Sequence, residues 1–447
     1  MNFGEKFERG LRLMLGSIAE AQSGRSGTIT PPLNREAMQA ELGELSKLRG
    51  RPAFYPYLGS GLGRGARSML SDGRWVLDFA LGVGVHFFGH GNLDLIETAL
   101  RAAALDLVMQ GNLIFNREYG ALMKTLLAHA PGGIDRCWLS LSGADANENA
   151  LKLVRQKRDG RAGVIALHGC FHGRTSVMAE ITDRPDYRIG QPRTVPVHYL
   201  PFYDRSNPES ATSALRALRE IISRDGDRIA TIVVELVQGE AGFVTAPRDF
   251  FVPLFEECKG AGIAIWVDEI QTFGRTGELF ATSRLNLAEY VDVITVGKIL
   301  QGSAMLHRHE LTPDPGLISG TFSGAAVAMA VGRRLIEKLT GEGFLGPRGR
   351  VAELERLTRE HLEHLARKHP AMISHVDGVG AMIAFRLGNG SLEQTRAFIR
   401  RCFDQGLVLY YGGHQPACIR LFLPAGCLVA DELAQAFEII DRCLESA

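Results

Sequence analysis

Three short apolar runs in this chain end in residues capable of chemistry, and the residue types differ from one end to the next. Residues 137–141 lead into Ser142-Gly143-Ala144-Asp145, followed by Ala146, Ala150, Leu153 and Val154 on one helical face. A serine three residues ahead of an acid has capping-box spacing, a glycine lets the backbone approach a ligand closely, and the first amides of a helix are unpaired donors suited to a phosphate. Residues 263–267 lead into Asp268-Glu269-Ile270-Gln271. A carboxylate there could pair with the nitrogen of a pyridinium ring and keep it protonated, the state in which such a ring withdraws electrons. Residues 291–296 lead into Gly297-Lys298, and a lysine just past a buried strand is partly desolvated, which lowers its pKa and frees its amine for Schiff-base chemistry. Each feature also has a plainer alternative: an ordinary capped helix, a salt bridge, a solvated lysine. A phosphate cradle, an acid and a lysine arriving in that order at successive run ends is a combination the plain alternatives do not explain.

For these residues to meet, the runs that carry them must lie side by side. Between about residues 93 and 339 apolar runs (137–141, 164–167, 229–234, 263–267 and 291–296) alternate with helical stretches. That alternation predicts a mostly parallel sheet flanked by helices, with ligands beyond the carboxyl ends of its strands. Residues 68–79 alternate apolar and polar around Asp72-Gly73, the mark of a tight hairpin. Past Gly341-Glu342-Gly343 the texture changes to a charged helix (351–368), alternating segments (373–387, 407–411, 418–423) and a closing helix (431–444). The expected architecture is α/β: an N-terminal segment 1–70 packing with the small domain, a large domain 71–340, and a smaller α+β domain 341–447.

Composition excludes several function classes. With 447 residues and 45% hydrophobic content the chain can bury a large core, and its 50 basic residues balance 50 acidic ones. No global field would draw it to nucleic acid or an anionic membrane, so charged substrates must be held locally. Seven scattered cysteines without a C-x-x-C pair read as reduced thiols of a cytoplasmic protein. The apolar patch 11–18 is broken by Arg12 and Gly16, which suits a surface helix and neither a signal peptide nor a membrane span. His86 and His90 lack a partner at ligand spacing and read as structural, so no metal is expected. Glycines 59, 61, 63 and 65 precede a hairpin instead of joining a strand to a helix, so they are not a dinucleotide fingerprint.

From about Leu58 onward the chain resembles the class III (omega-) pyridoxal-phosphate-dependent aminotransferases, of fold type I. The resemblance is carried by Ser142-Gly143-Ala144-Asp145-Ala146-Asn147-Glu148, Phe171-His172-Gly173-Arg174-Thr175, Gln238-Gly239-Glu240-Ala241-Gly242, Asp268-Glu269-Ile270-Gln271-Thr272 with Gly274-Arg275-Thr276-Gly277, Gly297-Lys298, and Gly320-Thr321-Phe322-Ser323-Gly324. It implies pyridoxal 5'-phosphate as cofactor, bound covalently by Lys298, which also shuttles the proton. Asp268 would pair with the ring nitrogen, Gln271 with the ring hydroxyl, Phe171 would stack on the ring with His172 beside it, and the amides of Gly143 and Ala144 would take the phosphate. Glu235 matches a family glutamate next to the cofactor and counts with Lys298 and Asp268 among the catalytic residues. Thr321 would reach the phosphate of a neighbouring subunit, making a homodimer part of the site. Arg420 matches the arginine for a substrate carboxylate, Glu240 the gate that covers it, Arg174 a holder of the distal carboxylate, and Tyr55 an aromatic near the donor's far end, with packing an equal alternative.

Some positions depart from the family pattern. Leu236 replaces a proline, residues 299–305 lack the usual glycine run and proline, and Ala325-Ala326 replace asparagine-proline. Val83 stands where ornithine-specific members carry tyrosine, which counts against free ornithine. The leading expectation is ping-pong transfer of an amino group from an omega-amino donor to 2-oxoglutarate. The alternatives are a decarboxylase, racemase or aminomutase on the same fold, and a binding protein without catalysis, against which Lys298, Asp268 and Arg420 together argue.

Overall fold

The computed structural model describes residues 3–24, 32–105 and 113–445. Its centre is a seven-stranded sheet in the order Arg136–Ser140, Ser303–His307, Val293–Val296, Ala264–Glu269, Ile229–Val234, Gly163–Leu167, Val197–Leu200. Six strands are parallel and Ser303–His307 alone runs against both neighbours. The central strand Ala264–Glu269 is buried at every position, as an interior strand covered on both faces must be. Its alternation divides the core in two. Ile265 and Val267 join a large apolar cluster on one face, while Ala264 and Trp266 join a second one beneath the helix Gly143–Gln156.

Register brings the reactive run ends to a common edge. Val267 pairs with Val234 on one side and Ile294 on the other, and Ser140 pairs with Ser303. Glu235, Asp268 and Lys298 therefore emerge from adjacent strand ends, and Ser142 starts the helix Gly143–Gln156 near the same edge. The edge strand Val197–Leu200 and the antiparallel Ser303–His307 were not among the runs read from sequence. The first is only partly buried, and the second returns five residues after Lys298 as the far arm of a tight turn.

The hairpin forms as expected, with Arg67–Leu70 antiparallel to Trp75–Asp78 and Gly73 at φ +87°. Trp75–Asp78 also pairs in parallel with Leu407–Val408, so the small sheet built on the hairpin runs across the expected division at 70/71. The glycine-rich Gly59–Arg64 is a strand of that sheet, consistent with its not being a nucleotide loop. His90 is 3.0 Å from Asp78 and its ring packs 4.4 Å from His86. Beyond residue 341, helices Arg350–Lys368, Leu392–Asp404 and Ala430–Glu445 pack around the antiparallel strands Ile373–Val379, Met382–Leu387, Ala417–Phe422 and Tyr410–Gly413. None of the seven cysteines forms a disulfide, and among the described residues no helix is long and apolar enough to cross a membrane.

Two strands of the site are fastened by a buried polar contact, Trp266 Nε1 donating to Thr295 Oγ1 at 3.1 Å. Thr295→Val keeps the shape and removes the acceptor, so it should cost about 1–3 kcal/mol, the penalty for an unsatisfied buried donor. Urea unfolding with an unchanged m-value would show it.

Candidate active site

A cavity of about 390 Å³ opens at the carboxyl edge of the central sheet, and its walls include Gly143, Phe171, Asp268, Gln271, Lys298 and Arg420. Asp268 is the penultimate residue of the central strand and is 4% exposed. A carboxylate so buried requires donors, and three converge on it. Asn147 Nδ2 and His172 Nδ1 each lie 2.8 Å from Oδ2, and the Ile270 amide reaches Oδ1 at 3.0 Å. Asn147 also donates to the His172 carbonyl at 2.7 Å, so the helix, the 171–175 motif and the central strand are tied at one point.

On the next wall Ser142 caps the helix, its Oγ accepting from the Asp145 amide at 3.2 Å, while the Asp145 carboxylate accepts from the Leu141 amide at 3.0 Å. The amides of Gly143 and Ala144 keep no acceptor within the helix and border the cavity. A Cβ on Gly143 would come within 2.8 Å of Ile270, and one on Gly297 within 3.2 Å of the same side chain. Both glycines thus let the helix start and the lysine turn close on Ile270. Lys298 sits at φ +51°, a conformation that costs a non-glycine residue roughly 1–2 kcal/mol. The flanking Ile299 and Leu300, each 1% exposed, hold it there. Its Nζ makes no hydrogen bond to any described residue.

Glu235 is buried, with Oε2 accepting from the Phe171 amide at 2.8 Å and Oε1 from the Gly239 amide at 3.0 Å. Both oxygens thereby hold backbone in place, and the residue also borders the cavity that holds Lys298. Arg420, in the strand Ala417–Phe422, is 0% exposed. Its Nη1 donates to the Gly239 carbonyl at 2.9 Å and its Nη2 lies 3.4 Å from Glu240 Oε2. Glu240 therefore covers Arg420.

The class III aminotransferase family model matches residues 60–444. This chain belongs to that family. A 2-aminoadipate transaminase of Pseudomonas putida is 31% identical to it over 86% of this chain and 94% of the relative. An acetylornithine aminotransferase of Caldanaerobacter subterraneus is 28% identical over 86% of this chain and 93% of the relative. Among solved structures, a Bacillus anthracis aminotransferase superposes with a TM-score of 0.84 at 20% identity, covering 93% of this chain and all of that one. Class III aminotransferases use pyridoxal phosphate, and the relatives favour transamination over the other reactions of the fold.

The cavity of this aminotransferase fits that cofactor. Gln271 Oε1 is buried without a partner, where a ring hydroxyl could donate to it. Asp268, the free amides of Gly143 and Ala144, and the unbonded amine of Lys298 supply the remaining kinds of contact. The electrostatics agree. Burial lowers the Lys298 pKa to about 7, helped by the charges of Arg275 and Arg420. Burial also raises Glu235 to about 7, with the Asp268 charge adding to the effect and His172 opposing it. For His172 burial works against the charged ring, but Cys170 and the Asp268 carboxylate together raise its pKa well above the usual 6.5.

Two residues named from sequence lie elsewhere. The Tyr55 hydroxyl donates to the Leu409 carbonyl and its ring stacks on Phe403 at 4.5 Å, so it is a packing residue and does not line the cavity. Thr321, at the start of the turn Thr321–Gly324, is exposed and does not line the cavity of its own chain. Arg174 does line the cavity, its guanidinium 4.0 Å from the Tyr187 ring. Asn147 and Tyr410 also line the cavity, and neither has a role assigned from its sequence motif. The signal for Asn147 was available: a polar residue on the buried helix face of Ala146, Ala150 and Val154 must find a partner. Tyr410 borders Arg420 across the sheet, which local sequence does not reveal.

Two measurements follow from this geometry. Competitive acetylation of the apoprotein with acetic anhydride, read by mass spectrometry, should show Lys298 inert at pH 5 and increasingly reactive through a midpoint of about 7, where an ordinary lysine would titrate near 10.5. Gly239→Ala places a Cβ 2.0 Å from Gln271 Oε1, which a flexible side chain relieves by swinging aside. Melting temperature should hardly move while pyridoxal phosphate affinity falls roughly tenfold, about one lost hydrogen bond, as equilibrium dialysis would show.

Proposed function

We propose that this enzyme moves an amino group from an omega-amino donor to 2-oxoglutarate, with Lys298 as its proton carrier and Arg420 as its carboxylate receptor. The observation that carries the reading is Glu240 lying 3.4 Å from Arg420 in the cavity that holds Lys298. With Glu240 in place, the guanidinium is masked and a donor whose amine lies far from its carboxylate can enter. With Glu240 withdrawn, Arg420 can take the α-carboxylate of glutamate or 2-oxoglutarate as a bidentate pair. The relatives support both modes, one named for acetylornithine, whose free amine is distal, and one for 2-aminoadipate, whose amine adjoins a carboxylate.

Pyridoxal phosphate, when bound, supplies the electron sink for the pair left behind as a proton leaves the substrate carbon. The residues that would hold it are Gly143 and Ala144 at the phosphate, Asp268 at the ring nitrogen, Gln271 at the ring hydroxyl and Phe171 against the ring. His172 and Asn147 keep the Asp268 carboxylate in place. Glu235 fixes Phe171 through its amide. With a pKa of about 7, half of the Lys298 amines are uncharged at neutral pH, so the same Nζ can accept a proton and return it. Arg174, exposed at the mouth beside Tyr187, would meet the distal carboxylate of 2-oxoglutarate.

Two copies of the chain would complete the site as a homodimer. Thr321 is exposed away from its own cavity, and Leu141, Phe322 and Phe115 near it are 52%, 55% and 73% exposed. Asn116 Nδ2, next to Phe115, bonds the Gly324 carbonyl at 3.3 Å, so these side chains share one surface. Apolar surface of this kind suits a partner copy, which would carry Thr321 to the neighbouring phosphate site.

The test is a donor panel of lysine, ornithine, acetylornithine, 4-aminobutyrate, 2-aminoadipate and a diamine, with 2-oxoglutarate as acceptor and glutamate as the measured product. Failure of every donor to yield glutamate would sink the substrate assignment. Arg420→Lys, which cannot form the bidentate pair, should raise the KM for 2-oxoglutarate roughly 10- to 100-fold, with a smaller effect on a monoamine donor.

A further inference from the structure

Glu240 is held from two sides. Its Oε2 faces Arg420, while its Oε1 lies 3.3 Å from the Tyr187 hydroxyl and 3.5 Å from Arg184 Nη2. Arg184 immediately precedes the short turn Pro185–Arg188 that carries Tyr187. The side chains are mostly shielded from water, at 15% exposure for Arg184, 19% for Glu240 and 0% for Arg420. Tyr187 lies against Arg174 on its ring face. Burial, and next the Glu240 charge, raise its phenol above the usual value, so it remains a donor at neutral pH.

A carboxylate that binds Arg420 must displace Glu240 Oε2. A carboxylate separated from its only cation in a shielded site is strongly destabilised, so withdrawal is feasible only if a second cation receives it. Arg184 already touches the other oxygen. While Glu240 covers Arg420 the carboxylate has two guanidinium partners, and once it withdraws Arg184 is the one that remains. Removing Arg184 therefore costs the withdrawn position more than the covering one. Resting on the reading of Glu240 and Arg420 given above, we propose that Arg184, with Tyr187, is the second anchor of Glu240 and sets the balance between carboxylate-bearing and amine-distal substrates. It is a positioning residue and need not touch the substrate.

Calorimetric titration of the holoenzyme with glutarate, an unreactive dicarboxylate, tests this. Arg184→Gln should weaken glutarate roughly three- to tenfold, a part of the worth of one charge-assisted contact because the contact is lost from both positions of Glu240, and Arg184→Lys should recover part of it. Glu240→Gln should tighten glutarate by unmasking Arg420, and adding Arg184→Gln to Glu240→Gln should change nothing further. In turnover, Arg184→Gln should raise the KM for 2-oxoglutarate and leave that of a monoamine donor nearly unchanged. An Arg184→Gln effect that persists in the Glu240→Gln background would mean direct contact with the ligand and overturn the proposal. So would an absent Arg184→Gln effect while Glu240→Gln still tightens binding, with the gate reading intact. If Glu240→Gln leaves glutarate binding unchanged, the gate itself fails and the anchor with it.

Discussion

A carboxylate buried at the end of the central strand must be surrounded by donors or lose its charge, and the donors that satisfy Asp268 come from three separate places in the chain. Asn147 belongs to the helix whose first residues border the cavity, His172 to the loop that carries Phe171, and the Ile270 amide to the turn that presents Gln271. Satisfying one charge thus aligns three cavity-lining segments. Glu235 repeats the device on the adjacent strand, spending both oxygens on the amides of Phe171 and Gly239. The site is preorganised by the polar groups that its own acids demand.

Lys298 experiences the opposite requirement. Its amine is useful only when uncharged, and burial beside Arg275 and Arg420 favours that state. Arg275 is itself 1% exposed, donates to the Gln271 carbonyl at 2.7 Å, and has its own pKa pushed down to about 9 by burial. The cavity thus combines two tightly satisfied acids with a lysine kept short of partners. The lysine amine is left free to change its charge, while the acids hold geometry.

Much of this was legible in the sequence, because local chemistry carries it. The strand runs at 229–234 and 263–267, the Asp72-Gly73 hairpin, the Ser142 cap and the change of texture near residue 341 all depend on neighbours in the chain. What escaped depends on distant ones. Ser303–His307 is a strand because Val293–Val296 and Arg136–Ser140 flank it. Tyr55 is a packing residue because Phe403 and Leu409 lie against it, some 350 positions away in the chain. Arg184 and Tyr187 sit in a polar loop without a motif and gain meaning only from the Glu240 carboxylate beside them. Of the departures after Lys298, Ile299 and Leu300 are core side chains buried against the helix Ala326–Gly341, while Gln301 is exposed.

Glu235, Asp268 and Lys298 lie within two positions of the ends of strands whose pairing is set by register, so the chain tolerates changes of length in some places and not in others. An insertion in the solvent-facing part of a crossover, such as the helix Ser210–Asp225 between Val197–Leu200 and Ile229–Val234, would leave every strand end where it is. Deleting one residue within Ala264–Glu269 would turn each side chain beyond the cut to the opposite face. Asp268 would then point away from the side of Trp266 and toward that of Ile265 and Val267. Natural variation in length among proteins built this way should therefore gather in the crossovers and be nearly absent from the strands.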